Sequence, residues 1–145
     1  MSESLDFKKD ADDWPHRAFS QIIETSEISW HVQIAGGGPP LLLLHGTGSS
    51  SHTWAGMLPL LKEHYTVIAP DLPGQGFTRT ESRNNVSMLG MALAVTNLLK
   101  KLGMSPQSVI GHSAGAALLA RMILNAQIHP RSIISLNGAF FPFGG

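Results

Sequence analysis

A serine can attack a carbonyl carbon when a turn exposes its hydroxyl, fixed N–H groups stabilise the developing oxyanion, and a base takes its proton. Residues 111–115 read Gly-His-Ser-Ala-Gly. Glycines two positions to either side of Ser113 suit a sharp strand-to-helix turn, because a side chain at Gly111 or Gly115 would collide with neighbouring backbone. An apolar strand-like run, Ser-Val-Ile, precedes the motif, and an apolar helical run follows it, kept slim by Ala114, Ala116 and Ala117. The competing reading is a chance Gly-Ser-Gly loop of a nucleotide-binding fold. The strand before and the helix after favour the nucleophile turn.

A second motif, His45-Gly46-Thr47-Gly48, follows the run Leu41–Leu44. A glycine-rich turn at a strand end can aim the Thr47 N–H at Ser113, and Ala114, opening its helix, offers a second donor. His45 lies beside this oxyanion position; it is expected to prop the turn, with Gly46 and Gly48, and not to act as the base. His112 is adjacent to Ser113, and neighbouring side chains at a sharp turn diverge, so it too is expected to support the turn. Asp71, followed by Leu-Pro-Gly, is expected to anchor its loop through backbone N–H groups.

The elements that must hold these residues follow from periodicity. In Ile28–Ala35, Ile28, Trp30, Val32 and Ile34 alternate with Ser29, His31 and Gln33, the pattern of a strand buried on one face. Residues 18–24 are a plausible partner strand, and Gly36–Pro40 a turn. Leu41–Leu44 is unbroken apolar, as in a strand covered on both faces. A helix over 52–62 would present Trp54, Met57, Leu58 and Leu61, with a kink at Pro59. Strands are expected at 66–70, 108–111 and 132–137, and helices at 88–102 and 114–125. Ser87 suits the cap of the first of these helices and Gly103 its stop. Residues 72–85 read as an exposed loop beside the site. Buried strands alternating with helices give an α/β fold, a mostly parallel sheet with helices on both faces, and ligands then collect at the carboxyl ends of the strands.

These motifs together, His-Gly-Thr-Gly, then Asp-Leu-Pro-Gly-Gln-Gly, then Gly-His-Ser-Ala-Gly, resemble those of the α/β-hydrolase superfamily. Within it, residues 36–54, 67–78, 111–124 and especially 128–145 resemble the α/β hydrolases associated with magnesium chelatase in bacteriochlorophyll synthesis. The resemblance implies a serine-hydrolase scaffold with Ser113 as nucleophile and Thr47 and Ala114 as oxyanion donors. It also implies an ester or tetrapyrrole-type small-molecule substrate, and contact with the magnesium-chelatase machinery. A non-catalytic, tetrapyrrole-binding accessory role is the competing implication. Phe140, Phe141 and Phe143 could line such a pocket, but they read more simply as core.

The resemblance further implies a triad in the order Ser…Asp/Glu…His. The only histidine after Ser113 is His129, which precedes the strand 132–137 and so falls at the opposite edge of the sheet; Asn137-Gly138, where some relatives carry the acid, cannot ionise. The expectation is a fold truncated before its lid and last strands: residues 1–15 a polar N-terminal segment, residues 16–145 the N-terminal half of a core domain. Nucleophile and oxyanion hole would be present, and the acid and histidine absent.

Composition excludes other classes. Ten basic residues balance ten acidic ones, which gives no attraction for nucleic acid. The chain has no cysteine, and no His/Asp/Glu grouping has ligand spacing, so no metal or cofactor is expected. Gly36–Pro40 is not a phosphate cradle, since no Lys-Ser/Thr follows it. No apolar run reaches the roughly 18 residues of a spanning helix and the N-terminus lacks a signal core, so a cytoplasmic protein is expected. Asn85-Val-Ser87 matches a glycosylation sequon without a secretory context. Trp30 and Trp54 are expected in the core, and Arg121 is expected to reach a carboxylate or a helix end.

Overall fold

A computed structural model describes Phe7 and residues 13–137. Phe140, Phe141 and Phe143 lie outside the described residues. The strands are β1 (Ser20–Thr25), β2 (Ile28–Ala35), β3 (Pro40–Leu44), β4 (Thr66–Pro70), β5 (Arg79–Thr80), β6 (Ser108–His112) and β7 (Ser132–Leu136). The α-helices are α1 (Leu58–Leu61), α2 (Met88–Leu102) and α3 (Ala114–Leu124), and short 3-10 turns cover Arg17–Phe19, Ser51–Trp54 and Arg83–Val86. Among the described residues the sheet order is β1-β2-β4-β3-β6-β7, with β5 pairing onto β2. β1, β2 and β4 run antiparallel in succession, whereas β4, β3, β6 and β7 are mutually parallel.

The four leucines of β3 show why the middle of the sheet reads as continuous apolar sequence. Side chains alternate along a strand, so Leu42 and Leu44 enter the core built with α2 and α3, while Leu41 and Leu43 enter the core built with Trp54 and Leu58. All four are essentially inaccessible to water. Trp30 belongs to the first core and Trp54 to the second.

α2 forms as its sequence predicts. Ser87 accepts the Gly90 N–H, and Gly103 closes the helix in the left-handed conformation, φ 68°, donating to the Leu99 and Lys100 carbonyls. Its buried stripe is Ala92, Val95, Leu98 and Leu99; Met88, in the first turn, stays exposed.

Three expectations need correction, and a fourth, for Arg121, resolves to its helix-end alternative. β2 is buried on both faces: His31 and Gln33 are as inaccessible as Trp30 and Val32, because aromatic rings of Phe7, Trp14 and Phe77 cover His31. The helix expected over 52–62 is instead a 3-10 turn followed by α1, with Pro59 in the first turn of α1, where a missing N–H costs no intrahelical bond. Residues 72–85 are not simply an exposed loop: Leu72, Phe77 and Thr78 are buried, and Arg79–Thr80 pair with Ser29 and Ile28. Arg121 is exposed and makes no ion pair among the described residues; it sits in the last turn of α3, where a cation meets the helix's unsatisfied carbonyls.

Among the described residues β7 is an edge strand that pairs only with β6, and Ile133, Ile134 and Leu136 are exposed. No helix among the described residues is long and apolar enough to cross a membrane.

Candidate active site

The carboxyl ends of β3 and β6 lie side by side, with Leu44 opposite Gly111. What leaves those two strands therefore meets: His45–Gly48 from β3, and the turn at Ser113 from β6. Ser113 has φ 55° and ψ −119°, a conformation that L residues rarely adopt. Its N–H donates to the Leu136 carbonyl at 2.8 Å, which ties the turn to the end of β7. Its carbonyl accepts the Ala116 N–H at 3.1 Å as α3 begins. Such strain survives only where neighbours over-determine it.

Gly111 and Gly115 are those neighbours. A Cβ on Gly111 would lie 2.5 Å from the Ala116 backbone N and Cα. One on Gly115 would lie 2.6 Å from the His45 carbonyl oxygen and closer still to that of Leu44. Both contacts are with backbone, which cannot yield as a flexible side chain can. A Cβ on Gly46 would meet the Ser113 Cβ at 3.3 Å and His112 Nδ1 at 3.4 Å, so Gly46 lets the two turns touch. Ser113 is half-buried, and its hydroxyl has no hydrogen-bond partner among the described residues. The His112 Nδ1 is buried and likewise unpartnered.

His45 is fully buried with both ring nitrogens engaged. Nδ1 lies 2.7 Å from the Gly46 carbonyl oxygen, and Nε2 accepts the Leu72 N–H at 2.9 Å. An acceptor Nε2 carries no proton, so Nδ1–H is the donor and the ring is neutral. Burial lowers its pKa, against smaller opposing effects of the Gly46 bond and the Asp71 charge. The Ser49 N–H also donates to the Gly46 carbonyl, at 3.2 Å. In a trans peptide the C=O and the next N–H point in opposite directions. Holding the Gly46 carbonyl against His45 thus turns the Thr47 N–H away from the ring. Thr47 is exposed, and neither its N–H nor that of Ala114 meets an acceptor among the described residues. The Gly48 N–H is spent on Gln75 Oε1 at 2.8 Å.

Asp71 anchors this assembly from below, as its sequence context predicts. Oδ1 accepts the Ser51 N–H at 2.6 Å; Oδ2 accepts the Phe77 N–H and the His31 Nδ1–H, each at 2.8 Å. Burial alone would raise its pKa, but the His31 bond and charge and the two backbone N–H groups outweigh that and lower it. The carboxylate joins β2, the turn after β3 and the loop after β4. His31, Gln33 and Gln75 belong to this framework and were not singled out by sequence reasoning. The usable signal was a pair of polar residues, His31 and Gln33, in an otherwise core-forming strand.

No imidazole among the described residues bonds Ser113. His129 precedes β7, which runs parallel to β6 with Ser132 beside Ser108 and Leu136 beside His112, so it sits at the opposite end of the strands from Ser113.

Comparison with known proteins identifies the fold. Residues 39–144 match the family model for the alpha/beta hydrolase fold. The chain is 40% identical over 134 residues to the magnesium-chelatase 30 kDa subunit of Rhodobacter capsulatus, covering 91% of this chain and 46% of that protein. It is 33% identical over 120 residues to a fluoroacetate dehalogenase of a Burkholderia species, covering 80% and 38%. Among solved structures it is similar to the N-acyl homoserine lactonase AidH complexed with N-butanoyl homoserine, with TM-score 0.74 and 31% identity over 82% of this chain and 44% of that one. The chain thus spans about half the length, or less, of the relatives it matches. Sheet order, the strained serine turn and these similarities lead to one conclusion: the chain belongs to the α/β-hydrolase fold family.

Proposed function

We propose that the protein is a serine hydrolase acting on an ester or related acyl bond, with Ser113 as its nucleophile. The Ser113 oxygen attacks the substrate carbonyl, and the N–H groups of Thr47 and Ala114 receive the oxyanion. A base takes the Ser113 proton during attack and returns it to the leaving oxygen as the carbon–oxygen bond breaks, so collapse releases the alcohol and leaves an acyl ester on Ser113, which water then cleaves. The observation that carries this reading is the conformation of Ser113: φ 55° at the β6–α3 junction, hydroxyl unpartnered among the described residues, beside two N–H groups without acceptors. Gly46, Gly48, Gly111 and Gly115 allow the close approach, His45 orients the Gly46–Thr47 peptide, and His112 flanks the turn.

Residues 16–145 are read as the N-terminal half of a core domain, with residues 1–15 as a leading segment. No residue of these 145 is assigned as the triad histidine or its acid partner. Losing the base of a serine triad costs on the order of 10⁶ in turnover, so the 145 residues alone are expected to show no useful ester hydrolysis. No metal or cofactor is required. On this reading the protein acts in the cytoplasm, beside magnesium insertion in bacteriochlorophyll synthesis, on an ester or tetrapyrrole-type substrate; similarity to the magnesium-chelatase 30 kDa subunit supports the link to magnesium chelatase alone.

That same similarity favours a second reading, a non-catalytic accessory protein that binds a tetrapyrrole. Hydrolysis of p-nitrophenyl esters by the whole protein that carries this sequence separates the two. Turnover abolished by Ser113→Ala supports the enzyme; porphyrin binding unchanged by Ser113→Ala, with no turnover in either form, supports the accessory role.

A further inference from the structure

Ser20, His31 and Asp71 form a second hydrogen-bonded array, separate from Ser113. β1 and β2 pair with Ser20 opposite Gln33 and Ile22 opposite His31, which puts Ser20, His31 and Gln33 on one face. His31 Nδ1 lies 2.8 Å from Asp71 Oδ2, and its Nε2 lies 2.8 Å from Ser20 Oγ.

The proton positions follow from the acceptors. An ionised Asp71 only accepts, so Nδ1 carries a proton, and in neutral His31 the Nε2 is bare. Of the two Gln33 Nε2 hydrogens, one is donated to the Pro15 carbonyl at 2.7 Å and the other is directed to Ser20 Oγ at 3.2 Å, with the His16 carbonyl at 3.3 Å as a longer competing acceptor. With that lone pair filled from Gln33, the Ser20 proton is directed at His31. This is the polarity of a serine–imidazole–carboxylate relay. The rings of Phe7, Trp14 and Phe77, with centroids 5.2, 6.3 and 5.2 Å from that of His31, keep water from it. Ser20 itself is half-buried on the edge strand.

The missing part sets the substrate class. The Ser20 N–H donates to the Arg17 carbonyl and is not free to meet an oxyanion. Loss of one oxyanion donor costs on the order of 10²–10³ in rate. Only an acyl donor with a good leaving group can react at such a serine, and the resulting ester would persist.

We propose that Ser20 is a covalent modification site, acylated by activated acyl donors through His31 and independently of Ser113. With p-nitrophenyl acetate the Ser20 Oγ–carbonyl carbon bond forms and the bond from that carbon to the phenolate oxygen breaks. The hydroxyl proton moves to His31 Nε2, where Asp71 stabilises the imidazolium, and then passes to the departing phenolate oxygen.

The test is acetylation by p-nitrophenyl acetate of the Ser113→Ala chain, mapped by peptide mass spectrometry over time. The exposed Ser105 and Ser132 in the same molecules serve as references. Ser20 is expected to acetylate at least about tenfold faster than either, a modest share of what a positioned base supplies. His31→Gln is expected to remove that advantage. Because His31→Gln could unfold the chain, the comparison within the His31-containing protein decides the matter. Ser20 reacting no faster than Ser105 and Ser132 overturns the proposal and leaves the Ser113 reading untouched.

Discussion

Replacing Asp71 by Asn tests the framework that holds the candidate site. The carboxylate accepts three hydrogen bonds, from Ser51 N–H, Phe77 N–H and His31 Nδ1–H. An amide has one oxygen. If that oxygen keeps the Phe77 and His31 bonds, the NH₂ confronts the Ser51 N–H, donor against donor. A buried N–H left without a partner costs about 1–3 kcal/mol. The two surviving bonds pass from a charged to a neutral acceptor and lose about 1 kcal/mol each. The expected loss is about 3–5 kcal/mol, the range found when a buried ion pair is broken. That is a large share of the roughly 5–15 kcal/mol that holds a domain together. Urea unfolding followed by the fluorescence of buried Trp30 and Trp54 measures it. A loss below about 1 kcal/mol would refute the assignment of Asp71 as the anchor. Acid gives a second reading of the same group. Its folded pKa lies below the ordinary 3.8, so its stabilisation is complete above that value and is lost as pH falls through the folded pKa. Asp71→Asn should lack that segment of the acid transition.

His45 should give its own acid signature. Its pKa is lowered by burial from 6.5, so the unfolded chain takes up a proton first as pH falls; stability should decline below about pH 6.5, and His45→Gln should flatten that slope over the same window. Gly115→Ala drives a Cβ against the Leu44 and His45 carbonyl oxygens. Overpacking of this kind costs about 1–3 kcal/mol, and a scan by differential calorimetry should show a Tm at least about 3 °C lower.

Most of the architecture could be read from residue order because each local signal agreed with its neighbours. Leu41–Leu44 predicts a doubly covered strand, and β3 splits those side chains between two cores. Ser87 and Gly103 mark both ends of α2. Gly111 and Gly115 predict backbone crowding, and the crowding is there. What escaped were positions decided by distant sequence. His31 and Gln33 alternate with core residues and so read as solvent-facing, but Phe7, Trp14 and Phe77 arrive from segments on either side to cover His31. β5 is two residues long, too short for any periodicity, and hides in a stretch rich in Gly, Asn and Arg. Pro59 predicts a kink, yet nothing local signals that the residues before it tighten into a 3-10 turn. Strand periodicity is local; burial on the second face depends on tertiary contacts.

The claim beneath the functional reading is that the Ser113 hydroxyl is the reacting atom. Treating the whole protein that carries this sequence with a fluorophosphonate, then locating the adduct by mass spectrometry, tests it most directly. The account predicts a single stoichiometric phosphonyl group on the peptide containing Ser113, and none there in Ser113→Ala. An intact, folded protein that takes up no label at Ser113 would contradict it.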